Sequence, residues 1–364
     1  MVVTYADLKI LQALIENPLG SIKKLSGDAD LSPPTFKKRL ERLIERGVLQ
    51  RKGYVSAQIC YPAVGLELVA VLSECNPQGL LLMEKVCDLH PYTRYRARCL
   101  GATNGIFMMF ALPHGTLGNL IQLMDALSRE GAVVRYRIQT PINKWIYSEP
   151  DLRLYDPNEN TWSFDWQKWS NTMEYSSPPR LERFPPSVMD RINKADIRTL
   201  RILSIDARRS RKEIAEDVAL QPYELSRRLN FFRENRVIDR YRIILGLRQF
   251  GHLTGALFEG RASVEATERI AYAVSQLLFQ STFVPTQSGY ILYSMILASD
   301  FPMLAMELQR QSRSVDVMWC DYASTMRYWF DNEPSNFTVQ GWRADKEYMI
   351  GDVLQKLGSG GPGC

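Results

Sequence analysis

One segment of this chain occurs twice, and that constrains the fold more than any other feature. Leu31-Ser32-Pro33-Pro34-Thr35-Phe36-Lys37-Lys38-Arg39-Leu40-Glu41-Arg42-Leu43 reads as a turn that opens a basic, half-apolar helix. Ser32 can cap it, Pro33 suits its first position, and Phe36, Leu40 and Leu43 fall on one face. An offset of 189 residues carries it onto Leu220-Gln221-Pro222-Tyr223-Glu224-Leu225-Ser226-Arg227-Arg228-Leu229 without a gap. The same offset takes Asp7 to Asp196, Ser21 to Ser210, Val48 to Val237 and Arg51 to Arg240. A register held over that length predicts a duplicated unit.

Each copy has the punctuation of a winged helix-turn-helix. Asp7 to Leu14 forms a first helix that ends at Asn17-Pro18-Leu19-Gly20. Ser21 caps a second helix, and the basic helix is third. Val48 to Val55 reads as a two-stranded wing turning at Lys52-Gly53. From Leu66 the pattern becomes βαββαβ: Leu66 to Leu72, Gly79 to Leu89, Tyr92 to Leu100, Gly105 to Leu112, Thr116 to Arg129 and Ala132 to Gln139. The second set is Leu253 to Gly260, Val264 to Phe279, Ser281 to Thr286, Gly289 to Ala298, Phe301 to Ser312 and Val315 to Tyr322.

The predicted fold class is therefore α+β, with two winged helix-turn-helix domains alternating with two ferredoxin-like βαββαβ domains. The divisions are 1–60 and 189–250 for the winged helices and 61–142 and 251–325 for the ferredoxin-like domains. A Trp- and Pro-rich extension and linker runs over 143–188, a C-terminal extension over 326–352, and a flexible Gly-rich tail over 353–364. Trp145, Trp162, Trp166 and Trp169 predict an ordered first extension that clasps its domain or a neighbour.

Basic charge is concentrated in the repeats. Residues 1–54 hold ten Lys or Arg against six acids and residues 190–248 hold fifteen against nine, while the whole chain is only +5. Such clustering is the footprint of phosphate contact, with plainly solvated basic helices as the alternative. The longest apolar run, Ile106 to Leu112, is far short of a membrane span, and Met1 to Asp7 lacks a secretory pattern, so a soluble cytoplasmic protein is predicted. The six cysteines have no zinc-type spacing and read as reduced thiols; no metal and no cofactor is predicted.

A winged helix followed by βαββαβ resembles the Lrp/AsnC (feast/famine) family of transcription regulators. Asp7 to Leu14, Leu31-Ser32-Pro33, Arg46-Gly47-Val48-Leu49 and the paired strands after Gly101 carry the resemblance. It implies a sequence-specific regulator of double-stranded DNA, here a covalent pseudo-dimer, with ferredoxin-like domains that self-associate and sense a small molecule. The expected DNA contacts are Ser32, Thr35, Lys37, Lys38, Arg39, Arg42, Arg51 and Lys52 in the first copy, and Gln221, Tyr223, Arg227, Arg228, Arg240 and Arg242 in the second. The expected effector residues are Gly101, Thr103, Asn104 and Gly105, with Gln287, Ser288 and Gly289. These loops lack the acidic residue typical of the family, which argues against a free amino acid as effector and leaves hairpin turns as the glycines' other role.

Siroheme decarboxylases are similar in pairing a winged helix with this domain in two related halves, and use histidines near a bound tetrapyrrole. His90, His114 and His252 are the only histidines here, and their positions suit surface or capping roles equally. The basic third helices favour a regulator that is not an enzyme. In a third alternative the second winged helix, through Glu224 and an exposed Phe231, is a protein-interaction surface.

Overall fold

The computed structural model of the protein describes residues 3–51, 53–175, 177–251, 254–330 and 334–359. The chain opens with α1 (Tyr5–Glu16), α2 (Ile22–Asp28) and α3 (Pro33–Glu45). Thr4 and Asp7 form a reciprocal capping box at the start of α1, Ser21 caps α2 and Ser32 caps α3. β1 (Val55–Ile59) leads into β2 (Leu66–Cys75), α4 (Pro77–Leu89), β3 (Thr93–Gly101), β4 (Gly105–Pro113), α5 (Leu117–Arg129) and β5 (Val133–Gln139). The first extension carries β6 (Ile146–Ser148), the hairpin β7 (Tyr155–Asp156) and β8 (Thr161–Trp162), and α6 (Trp166–Tyr175).

The same order then recurs. It runs α7 (Lys194–Ile205), α8 (Arg211–Val218), α9 (Pro222–Glu234), β9 (Ile238–Ile243), β10 (Thr254–Arg261), α10 (Val264–Val274), β11 (Ser281–Thr286), β12 (Gly289–Ile296), α11 (Phe301–Gln311) and β13 (Ser314–Cys320). β14 (Met326–Arg327), the hairpin β15 (Phe337–Thr338) and β16 (Gly341–Trp342), and α12 (Asp352–Ser359) complete the described elements. The flexible tail expected from 353 is corrected over 353–359, which is helical with Val353 buried, while 360–364 lie outside the described residues. α10 stops five residues short of the predicted Phe279, because Leu277, Leu278 and Phe279 are all buried together and no helical stripe accommodates three successive core residues.

Strand order β5-β2-β4-β3-β13-β10-β12-β11-β6 makes one sheet. Each ferredoxin-like half contributes four strands, and the halves join edge to edge where β3 meets β13. Each extension crosses to the opposite half: β6 pairs with β11, and β14 with β3. Tryptophans fix these crossings. Trp162 donates to the Phe250 carbonyl at 2.9 Å, Trp169 to Ala273 at 2.7 Å, and Trp342 to Val64 at 2.7 Å. The clasp is thus on the other half of the same chain.

The predicted wing is corrected. The described residues from Val48 to Val55 form no hairpin, Lys52 of the expected turn lying outside them; instead β1 pairs antiparallel with β9, Val55 opposite Ile243 and Gln58 opposite Arg240. A turn residue with a side chain is excluded at Gly53, whose φ is +70° and whose added Cβ would sit 1.8 Å from the Ile205 carbonyl oxygen. That carbonyl belongs to the second winged helix, so the segment is held against the other copy rather than folded on itself.

Candidate functional site

The predicted DNA contacts separate into three groups. Ser32, Thr35, Lys37, Lys38, Arg42 and Arg51 are exposed in the first copy, and Gln221, Tyr223 and Arg227 in the second. Lys52 lies outside the described residues. Arg39 and Arg228 point back into their own domains: Arg39 Nη1 is 2.9 Å from Asp7 Oδ1, and Arg228 Nε is 2.6 Å from Asp196 Oδ1. Arg240 and Arg242 face inward. Both bond Glu149, at 2.6 and 3.3 Å, and the Arg240 guanidinium lies 3.9 Å from the centre of the Tyr147 ring. Phe231 is buried, with the Arg191 and Arg228 guanidinium groups 4.5 and 4.3 Å from its ring centre, and Glu224 completes the cap of α9. The residues expected to display a protein-binding surface therefore serve the fold of their own domain.

The two predicted effector loops converge on one ion-paired cluster. Arg137 Nη2 is 3.2 Å from Thr103 Oγ1 and 2.7 Å from Glu259 Oε2. Gln139 Nε2 donates to Glu259 Oε1 at 2.8 Å, and Ser288 Oγ meets Gln139 Oε1 at 3.4 Å. Glu259, on β10, supplies a carboxylate to this cluster, and its charge is matched by Arg137. Asn104 accepts from the Gly101 amide at 3.1 Å, and Gln287 is exposed. A Cβ on Gly105 would lie 2.0 Å from the Ser73 carbonyl oxygen and one on Gly289 2.2 Å from that of Gly260, so both glycines permit close strand contact.

A concavity of about 230 Å³ lies elsewhere, between the halves. β1 and β9 form one wall through Gln58 and Arg242; the sheet presents Phe107, Met109, Ile291 and Tyr293; the crossing segments bring Lys144, Trp145, Arg327 and Tyr328. Exchange of β1, β9, β6 and β14 between the halves is what assembles these residues.

Its charge is positive and partly compensated. Lys144 Nζ is 2.7 Å from Asp239 and 3.2 Å from Glu182, and Arg242 is matched by Glu149. Arg94 donates to the Trp329 carbonyl at 2.9 Å between the Tyr61 and Phe330 rings. Arg327 bonds the Gln58 amide oxygen at 3.1 Å, lies 5.5 Å from the centre of the Trp329 ring and, among the described residues, forms no ion pair. Arg327 is exposed on the rim of this space; desolvation by the surrounding protein and the neighbouring Arg242 both lower its pKa, and a carboxylate there would offset them.

Neutral donors complete the lining. Trp145 Nε1 is buried, with no hydrogen-bond acceptor among the described residues. Burial raises the phenols of Tyr95, Tyr293 and Tyr328, which therefore keep their protons at neutral pH, and pushes the Cys60 thiol up to about 11. The cavity can grip anionic oxygen at its cations and N–H groups while stacking a flat apolar body on its rings.

No described histidine lines it. His90 is buried in the first core, where its Nδ1 accepts from the Tyr92 amide at 3.2 Å and burial pulls its pKa down to about 3. His114 is exposed beside Glu67, and His252 lies outside the described residues. Among the described residues no three His, Cys, Asp or Glu side chains group as a metal site, and no helix is long and apolar enough to cross a membrane. Sequence reasoning missed the cavity because its residues come from eleven separated stretches between Ala57 and Phe330. The Arg and Trp content of 145–147 and 327–329 was the available signal.

The family description of winged helix-turn-helix DNA-binding domains matches residues 4–50. No curated protein matches the chain. Among solved structures, the chain is similar to the siroheme decarboxylase NirDL, with a TM-score of 0.58 and 12% identity, over 98% of this chain and 100% of that one. NirDL in complex with an iron-uroporphyrin III analogue gives 0.52 and 13%, over 97% and 100%. A transcriptional regulator from Neisseria meningitidis, solved with L-Met, is similar over 39% of this chain and 91% of its own, at 18% identity and a TM-score of 0.33. The expectation of a non-enzyme is thereby corrected, since the fold spanning the chain from end to end is that of a solved enzyme. A winged helix of the DNA-binding kind stands at the start of that fold.

Proposed function

We propose that this chain is an enzyme that binds a carboxylate-bearing tetrapyrrole between its halves and removes carboxyl groups from it. The observation that carries the reading is the donor set of the cavity: Arg327 without an ion-pair partner and Trp145 Nε1 without an acceptor, both among the described residues, face one aromatic-lined space. A buried donor without an acceptor, as at Trp145 Nε1, is rare in folded proteins and calls for an explanation, which an anionic ligand supplies; the exposed Arg327, bonded to Gln58, lines the same space. The end-to-end fold likeness to siroheme decarboxylase supports the same ligand class. In such a reaction the bond between the methylene and carboxyl carbons breaks, carbon dioxide leaves, and the retained electron pair takes up a proton. Arg94 and Arg327 would hold carboxylates, the rings of Tyr61, Trp145 and Phe330 would pack on the macrocycle, and the still-protonated Tyr95 would be an O–H donor within the lining, the Tyr328 hydroxyl being engaged by Asp88 and Arg96.

The test is titration with iron-uroporphyrin III, followed by its absorption band and tryptophan quenching, and then incubation with siroheme and mass analysis of the pigment. Saturable binding and stepwise loss of carbon dioxide are expected. Absence of both overturns the reading.

The match over residues 4–50 favours a second reading, a regulator of double-stranded DNA. Lys37, Lys38 and Arg42 on the exposed face of α3 supply phosphate contacts, with Ser32, Thr35 and Arg51 beside them and Gln221, Tyr223 and Arg227 on α9. Unequal helices imply an asymmetric site, and a small-molecule effector would act through the interhalf cavity rather than the ion-paired loops. The recurring element order supports an origin by duplication. Pairing of β3 with β13 within one chain meets the need that separate copies would meet by self-association.

A further inference from the structure

Where the two halves join, a pair of thiols faces across the seam. Cys99 on β3 and Cys320 on β13 are directly opposite in an antiparallel register, with their Sγ atoms 3.6 Å apart although they are 221 residues apart in the chain. The backbone bonds flanking them run from the Asp321 amide to the Arg98 carbonyl and from the Ala102 amide to the Val317 carbonyl, each 3.0 Å. That pattern makes Cys99–Cys320 a pair whose own amides do not bond each other. At such positions antiparallel Cα atoms stand closest, roughly 4.5 Å apart, within the span a disulfide bridges. Both residues are free thiols and retain slight exposure, 6% and 7%. They pack with Tyr95 and Tyr293, which line the cavity, so a small oxidant entering there is separated from the sulfurs by one layer of side chains.

We propose that Cys99 and Cys320 are a redox modification site, a thiol pair that peroxide closes to a disulfide and that then staples the two halves at the seam of their shared sheet. The hydrogen bond to Cys99 and burial both hold the Cys320 thiol well above its ordinary range, so Cys99 acts first. Its thiolate attacks one oxygen of hydrogen peroxide; the O–O bond breaks, hydroxide leaves and takes up the thiol proton as water, and Cys99 becomes a sulfenic acid. The Cys320 sulfur then attacks the Cys99 sulfur; the S–S bond forms, the S–O bond breaks, and a second water carries off the remaining thiol hydrogen. Two thiols lose two electrons and one peroxide is reduced to two waters. The closed pair fixes β3 to β13 and stiffens the wall that Tyr95 and Tyr293 present to the cavity.

The experiment treats the purified full-length chain with hydrogen peroxide, blocks remaining thiols, and maps tryptic peptides without reduction. The expected product joins peptide 99–129 to peptide 314–327 and is two hydrogens lighter than their sum. Dithiothreitol separates it, and neither C99S nor C320S forms it. The oxidised wild type unfolds several degrees higher than the reduced protein, as a cross-link between distant residues requires. Peroxide that leaves both residues alkylatable, or drives either to sulfinic acid without the linked peptide, overturns the proposal. Because the wild-type peptide map decides it, neither a poorly folding variant nor failure of the tetrapyrrole reading obscures the result.

Discussion

Arg228 donates two hydrogen bonds to Asp196, from Nε at 2.6 Å and from Nη2 at 2.5 Å. Asp196 is fully buried at the start of α7, where its other task is to cap the helix. Arg39 and Asp7 repeat the arrangement 189 residues earlier. The basic residue of the third helix ties it to the first. Removing one partner of a buried pair leaves an uncompensated charge, which costs about 3–5 kcal/mol. Arg228→Ala is expected near the lower end of that range, and Arg39→Ala at about 1–2 kcal/mol because its side chain is 30% exposed. Urea unfolding checks both. Wild-type stability for Arg228→Ala would remove the structural role.

Asp7 makes its copy of the pair sensitive to acid. Burial alone would raise its pKa, but hydrogen bonds from Thr4 and Arg39 outweigh burial and hold it below the ordinary carboxylate value. A depressed folded pKa adds stability that is complete above the unfolded value, about 3.9, and is lost as pH falls through the folded one. Thermal unfolding of wild type and Asp7→Asn from neutral pH to pH ~3 should show the wild type ahead at pH 7 and the gap closing below about pH 4. A gap unchanged at the acid end would assign the difference to packing instead.

These pairs show where sequence reasoning reaches and where it stops. Asp7, Asp196, Arg39 and Arg228 recur at one offset, so their importance is legible; helix caps and strand alternation likewise locate the repeated βαββαβ order. Their direction is not legible, because a basic residue on a third helix satisfies the same periodicity whether it faces DNA or helix one. The wing failed for a related reason. β1 and β9 each look like half a hairpin, and only their pairing with each other, with Gly53 close against the Ile205 carbonyl, shows that the partner strand lies in the other copy. Everything that builds the cavity depends on that exchange, so its residues share no motif.

The cavity yields a graded test. Arg327→Gln keeps an amide near Gln58 while removing the charge, and a hydrogen bond to a charged group contributes about 1.5–3 kcal/mol. Binding of iron-uroporphyrin III should weaken roughly ten- to a hundredfold. Trp145→Phe keeps most of the ring and removes only the Nε1 donor, so a loss of up to about tenfold is expected. Arg42→Gln, exposed on α3, should leave the titration unchanged. Equal affinities for all four proteins would place the ligand elsewhere.

DNA binding is separable from the cavity by salt. Each phosphate contact made by a lysine or arginine releases counterions, so removing one lowers the slope of log affinity against log salt by about one. Lys38→Ala and Arg42→Ala change exposed cations of α3 and should each produce that reduction in fluorescence anisotropy with duplex DNA. Arg242→Gln should leave the slope intact, because its guanidinium is held by Glu149 at the cavity wall. Arg39→Ala must be measured at a temperature where its helix pair remains folded, since the loss of Asp7's partner would otherwise imitate a lost contact. A slope near zero for wild type would mean that the cations of α3 neutralise no phosphate, and the winged helix would then serve chiefly to carry β1 to the cavity.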